Sequence, residues 1–206
     1  MNINRGWIKA GLALALAVTP VCVAAQGLGP NASDGEAFLS AVKDGDANKA
    51  IELASQPGSR VVSYRGYSGD TALHIVTRKR ELDWVGFLVN KGADPNIADA
   101  KGDTPLTIAA SIGFEEAASF MLAKGARVDS INRRGETALA IAVQQRHPRM
   151  VELLLKAGAN PYKPDRVSGY TPREYAKRDT RNPQILKLIE TVKPTGKKPA
   201  AGPVIN

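Results

Sequence analysis

Residues that carry chemistry are scarce in this chain. Its 206 residues include one cysteine, two histidines and two tryptophans, and aromatic residues make up 5%. The single Cys22 excludes a disulfide within the chain. His74 and His147, far apart and without thiol neighbours, offer no Cys/His zinc spacing. A Gly-x-Ser-x-Gly nucleophile elbow, a phosphate-cradling glycine loop and a zinc-protease helix motif are all missing. With no nucleophile and base to pair, enzymatic chemistry is not expected: no catalytic residue, no cofactor and no metal. The uninterrupted apolar run Ala10–Val18 is well short of the roughly 20 residues that span a bilayer, and no later segment is better suited.

That run nevertheless has a meaning. Arg5 and Lys9 precede it, Thr19-Pro20 breaks it, and the small residues Val23-Ala24-Ala25 follow. This is the layout of a cleavable export signal, with cleavage expected after Ala25. Cys22 lies upstream of the cut, which suits an oxidising compartment, and Pro20-Val21 before it do not make a lipidation site. Residues 1–25 are therefore read as a signal peptide that meets a membrane only in transit. The location this implies is a bacterial periplasm, with secretion as the alternative. Of the formal charge of +8, Arg5 and Lys9 belong to that segment and Lys193, Lys197 and Lys198 to the last fourteen residues. The body carries only a small excess of positive charge, which argues weakly for a nucleic-acid partner.

The body repeats itself. Gly69-Asp-Thr-Ala-Leu-His74, Gly102-Asp-Thr-Pro-Leu-Thr107, Gly135-Glu-Thr-Ala-Leu-Ala140 and Gly169-Tyr-Thr-Pro-Arg-Glu174 place threonines at 71, 104, 137 and 171. A second landmark keeps step with them: Lys91-Gly92-Ala-Asp-Pro-Asn96, Lys124-Gly125-Ala-Arg-Val-Asp129 and Ala157-Gly158-Ala-Asn-Pro-Tyr162. Two landmarks in register at a period of about 33 residues resemble the ankyrin-repeat family. The resemblance covers Asp34 to about Val192. It implies an all-α solenoid of about five stacked helix-turn-helix units with hairpin loops, at about 34–65, 66–98, 99–131, 132–165 and 166–192.

Each residue type has a physical reason to be where it is. The threonines suit helix N-caps, and Pro105 and Pro172 suit the first turn, where no donor is missed. Gly92, Gly125 and Gly158 suit left-handed helix ends. The outer stretches around Leu82–Leu88, Ala118–Leu122 and Met150–Leu155 are amphipathic, and Trp84 falls on such an apolar stripe. Less regular pairs, from Glu36 and from Thr171, read as caps that cover apolar surface on one side. Residues 26–33 read as a linker and 193–206 as a disordered basic Pro/Gly/Lys tail. The family's helix-turn glycine is kept at Gly113 but replaced by Arg80 and Arg146, so strained or rebuilt turns are expected there. His74 is expected to bond between neighbouring repeats.

By the same resemblance, the loop tips and open inner-helix positions form a concave face. That face comprises Tyr67, Ser68, Asp70, Arg78, Lys79, Lys101, Asp103, Ser111, Ile112, Arg133, Arg134, Glu136, Gln144, Gln145, Tyr170 and Arg178. Tyrosine and arginine are enriched among interface anchors, and loop residues without packing duty are where function concentrates. The expected role is a non-enzymatic scaffold, monomeric when free, whose basic tips hold an acidic patch of a protein partner. The alternative is an electrostatic binder of an anionic envelope component through the tips and tail.

Overall fold

The computed structural model describes residues 30–57 and 59–193. The export signal, its cleavage point and the tail from Pro194 lie outside the described residues. Ten α-helices are present among those described: α1 Pro30–Asp44, α2 Ala47–Ser55, α3 Ala72–Lys79, α4 Leu82–Asn90, α5 Pro105–Ile112, α6 Glu115–Ala123, α7 Ala138–Gln144, α8 Pro148–Lys156, α9 Pro172–Arg178 and α10 Pro183–Thr191. A 3-10 turn at Val61–Ser63 interrupts the first connection. Among the described residues there is no strand, only one isolated bridge between Ile131 and Thr137. No described helix is long and apolar enough to cross a membrane.

The helices pair and stack in two rows. The inner helices α1, α3, α5, α7 and α9 touch in that order, and the outer helices α4, α6, α8 and α10 touch in theirs. The sequence period becomes a packing period: Leu73, Leu106 and Leu139 are fully buried on the inner row, Leu88, Met121 and Leu154 on the outer. Ala109, Ala110, Ala138 and Ala142 are buried as well. Small side chains there let neighbouring repeats approach closely, since a core tolerates neither voids nor surplus volume. Trp84 is half-buried against this core and meets Phe87 edge-to-face with ring centroids 5.4 Å apart.

Threonine capping is realised in two ways. Thr104, Thr137 and Thr171 accept the N–H of Thr107, Ala140 and Glu174. At Thr71 the capping relation is carried by His74, whose Nδ1 accepts the Thr71 N–H at 3.1 Å and lies 2.8 Å from its hydroxyl. An accepting Nδ1 leaves the proton on Nε2, which donates to the Asp103 carbonyl of the next repeat at 3.0 Å. Glu174 accepts the Thr171 N–H in the same way at 2.8 Å. His74 is thus both half of a capping box and a bond between repeats.

One expectation is corrected and another is narrowed. The first helix begins at Pro30, inside the stretch read as a linker over 26–33, because a proline in the first turn forfeits no intrahelical bond. Of the strained or rebuilt turns expected at Arg80 and Arg146, the structure shows strain without rebuilding. Both residues have φ 59°, beside 62° at Gly113, so three repeats share one left-handed turn. Holding a side chain there costs about 1 kcal/mol or more. The arginines offset it with contacts that glycine lacks. Arg80 donates to the Ile112 carbonyl at 2.6 Å and lies over the Phe114 ring, while Arg146 pairs with Asp179.

Candidate functional site

Each outer helix is joined to the next inner helix by a loop, and the four loops project as fingers. Each finger is closed by a backbone bond across its base: Gly66 to Asp70, Asp99 to Asp103, Asn132 to Glu136 and Asp165 to Tyr170. In three of them the residue opening the finger also organises it from within. Asp99 Oδ1 accepts the N–H of Lys101 and Asp103, and Asn132 Oδ1 accepts those of Arg134 and Glu136. Asp165 accepts the N–H of Val167 and Ser168, with the Tyr175 and Ser168 hydroxyls on its other oxygen. Burial raises the Asp165 carboxyl pKa, but those hydrogen bonds outweigh it and hold the group at about 2.

Neighbouring fingers are zipped edge to edge. Arg133 N–H donates to the Lys101 carbonyl at 3.1 Å and Arg166 N–H to that of Arg134 at 2.9 Å. The tip glycines make this approach possible. A Cβ at Gly69, Gly102 or Gly135 would lie 2.5, 2.7 or 2.6 Å from the backbone nitrogen of Ala100, Arg133 or Arg166. At the foot of the fingers a second set of bonds recurs every repeat. Ser63, Asn96 and Asp129 accept the N–H of Asp94, Arg127 and Asn160, each 31 residues further on. The set stops at Tyr162, which is left 65% exposed.

On this rigid comb the sixteen expected face residues separate into two groups. Tyr67, Ser68, Lys101, Arg133, Arg134, Gln144, Gln145 and Arg178 are exposed, Tyr67 to 90%. Arg134 shares Glu136 with Asn132, and Arg178 stands 4.2 Å over the ring of the half-buried Tyr170. Most of the others are engaged within the protein, Arg78 and Lys79 while remaining exposed. Arg78 forks between Asp70 at 2.7 Å and Asp99 at 2.8 Å on the next finger. Lys79 caps α1 through the Val42 and Lys43 carbonyls. Asp103 receives Asn132 and Thr107, while Ser111 and Ile112 are half-buried with their carbonyls facing His147 and Arg80. Glu136 is corrected outright: expected on the open face, it is buried at 6% exposure, drawn in by Asn132 and Arg134.

Residues 80–165 match the family described as ankyrin repeats, in three copies. Residues 80–165 are ankyrin repeats. Of known proteins, a probable E3 ubiquitin-protein ligase, XBOS33, of Oryza sativa subsp. japonica is 38% identical over 90 residues. That match takes in 43% of this chain and 17% of the rice protein's length.

The finger and stitch geometry continues beyond the matched ankyrin repeats to Gly66 on one side and Tyr170 on the other. Charge is shared unequally along them. Residues 34–131 hold eleven Lys/Arg against fourteen Asp/Glu, whereas 132–165 and 166–192 each hold six against three. Arg166 and Val167, exposed on the last finger, were not among the expected residues. That finger has one residue more than the others, which hides the equivalence of Arg166 with Arg133. Asp99, Asn132 and Asp165 were missed as well, although an Asp or Asn opening a turn and bonding its amides is a known local device. No group of three or more His, Cys, Asp or Glu residues able to hold a metal occurs among the described residues.

Proposed function

We propose that this chain is a non-enzymatic scaffold that binds a protein partner through its fingers and the open ends of its inner helices. Ankyrin repeats generally mediate protein–protein interaction, and the observation that carries the reading here is the division of labour on the face. Backbone zippers and buried Asp or Asn side chains hold the fingers rigid. The side chains of Tyr67, Lys101, Arg133, Gln144, Gln145 and Arg178 make no hydrogen bond or ion pair among the described residues. A preorganised surface loses little conformational entropy on docking. A strip across four fingers offers on the order of 800 Å², the size of one side of a standard specific complex.

We place the scaffold outside the cytoplasm of a bacterium, in the periplasm or secreted, on the strength of the Arg5–Gln26 pattern. The test uses the chain as bait on an envelope extract at moderate salt, beside a Lys101→Glu, Arg133→Glu, Arg134→Glu variant. A protein recovered by the native bait is then purified and titrated against both. Binding of this partner weakened at least tenfold in the variant supports the reading, and equal binding refutes the face assignment. Capture of salt-sensitive polyanions alone would replace the reading with the electrostatic one, because counterion release makes such binding collapse as salt rises.

A further inference from the structure

The charge imbalance has a geometric counterpart on the fingers. Arg133 and Arg166 occupy the same place on consecutive fingers, each donating its N–H to the finger before it. Each also lays its stem over that finger's tip glycine: Arg133 Cγ lies close to the Cβ position of Gly102, and Arg166 Cβ and Cγ to that of Gly135. Ala100 holds the corresponding place beside Gly69. The row therefore reads alanine, arginine, arginine, and it becomes cationic only in the third and fourth fingers. Both arginines are exposed and have no side-chain partner among the described residues, unlike Arg78, Arg80 and Arg146.

A groove of about 470 Å³ lies between the C-terminal ends of α7 and α9, lined by Val143, Gln144, Tyr175, Arg178 and Arg181 among others. Arg178 and Arg181 supply the cations there. Arg181 is mostly exposed, its distance of 3.7 Å to Asp179 leaving it loosely held beside a carboxylate already taken by Arg146. Apolar relief is available as well, since Val167 is 75% exposed next to Arg166 on the last finger.

We propose that residues 133–181 form the docking site for an extended acidic polypeptide segment with carboxylates three residues apart. This deepens the function proposed above and rests on it. Stacked helices lie about 8–10 Å apart, and a chain in polyproline conformation returns to the same face every three residues while advancing about 3.1 Å per residue, so Asp or Glu at i and i+3 meets Arg133 and Arg166 in turn. Arginine suits this role because its planar fork takes a carboxylate through two parallel hydrogen bonds. A polypeptide fits better than a nucleic acid. Glu136 and Asp103 lie just behind the row, and a continuous phosphate backbone would face them, whereas a segment with spaced carboxylates passes uncharged residues over them.

The test pans a random twelve-residue peptide display library against the full chain at 150 mM salt. Enriched peptides are titrated by fluorescence anisotropy against the native protein, Arg133→Glu/Arg166→Glu and Arg133→Gln/Arg166→Gln. The expected result is enrichment of Asp or Glu pairs at i and i+3, with affinity lost at least tenfold in the Gln variant and further in the Glu variant. Matching thermal melts for all three proteins establish that the surface, not the fold, was changed. Enriched peptides without acidic pairs, bound equally by both variants, overturn the acidic-segment proposal while leaving protein binding intact. No enrichment, with a labelled oligothymidine bound instead, overturns both; no binding of either probe overturns the segment proposal alone.

Discussion

The first three repeats and the last two are built on the same backbone yet use their arginines and lysines in opposite ways. In the first part three cations are internal ties: Arg78 joins two fingers, Lys79 closes the end of α1 and Arg80 holds the next turn by its carbonyls. In the second part Arg133, Arg166 and Arg178 face water, while Arg134, Arg146, Lys156 and Arg173 are drawn into ion pairs at close range. The same residue type thus stabilises one half and is left available in the other. What decides is whether a carboxylate or a helix-end carbonyl lies within reach, which depends on the neighbouring repeat.

If the halves differ only in side chains, their backbones must respond alike. Gly69→Ala and Gly135→Ala are each expected to cost about 3 kcal/mol, combining a left-handed φ with a Cβ driven into the next finger. Gly125→Ala, with φ 91° but open space around its Cβ, is expected to cost only about 1 kcal/mol. Urea unfolding of the three variants checks this. A Gly69 variant no worse than the Gly125 variant would mean that the first two fingers do not need their close approach, and the comparison would fail at its base.

Acid separates the halves more finely. In the first part, burial pushes His74 below its ordinary value, outweighing the Asp103 carbonyl that favours its charged form. The unfolded chain therefore takes up that proton first, and the stability His74 contributes is full above about pH 6.5 and declines as pH falls below it. In the last part Asp165 sits at about 2 against an ordinary 3.8. Its contribution, about 2 kcal/mol, is complete above the ordinary value and is lost as pH drops towards 2. Glu174 and Asp179, also held low by hydrogen bonds from Thr171 and Arg146, act in the same window. Unfolding free energies measured from pH 8 to pH 2 should show the upper step removed by His74→Gln and the lower step reduced by Asp165→Asn. A single step unaffected by either change would refute the assignment.

The repeat was legible because its period rests on residues with strong local reasons: threonines that cap, glycines that turn left-handed, and leucines that return to one face. His74 was legible for the same reason. The helix start at Pro30 was not, since apolar spacing begins only near Phe38 and a helix extended beyond its packed face leaves no hydrophobic trace. Arg80 and Arg146 were read as disturbances because a side chain at a left-handed turn is unfavourable locally, while its compensation lies 32 or 33 residues away. The candidate face was only half legible. Glu136 and Asp103 carry the charge of solvated residues, but Thr107, Asn132 and Arg134 draw that charge inwards. Arg166 was hidden by one inserted residue.

The finest test of the contrast uses one substitution at two positions. Arg78→Gln takes the guanidinium from Asp99, whose side chain is 4% exposed, and Gln is too short to span both Asp70 and Asp99. Because Arg78 itself is 41% exposed, water and salt screen part of the loss, and about 1 kcal/mol of destabilisation is expected. Arg133→Gln touches no internal partner and should leave unfolding within about 0.5 kcal/mol of the native chain. Binding should follow the reverse order, with an acidic peptide losing affinity to Arg133→Gln and little to Arg78→Gln. Equal destabilisation by the two changes would show that Arg133 is also an internal tie. Equal loss of binding would extend the receptive surface into the first repeats and remove the functional asymmetry inferred from their charge.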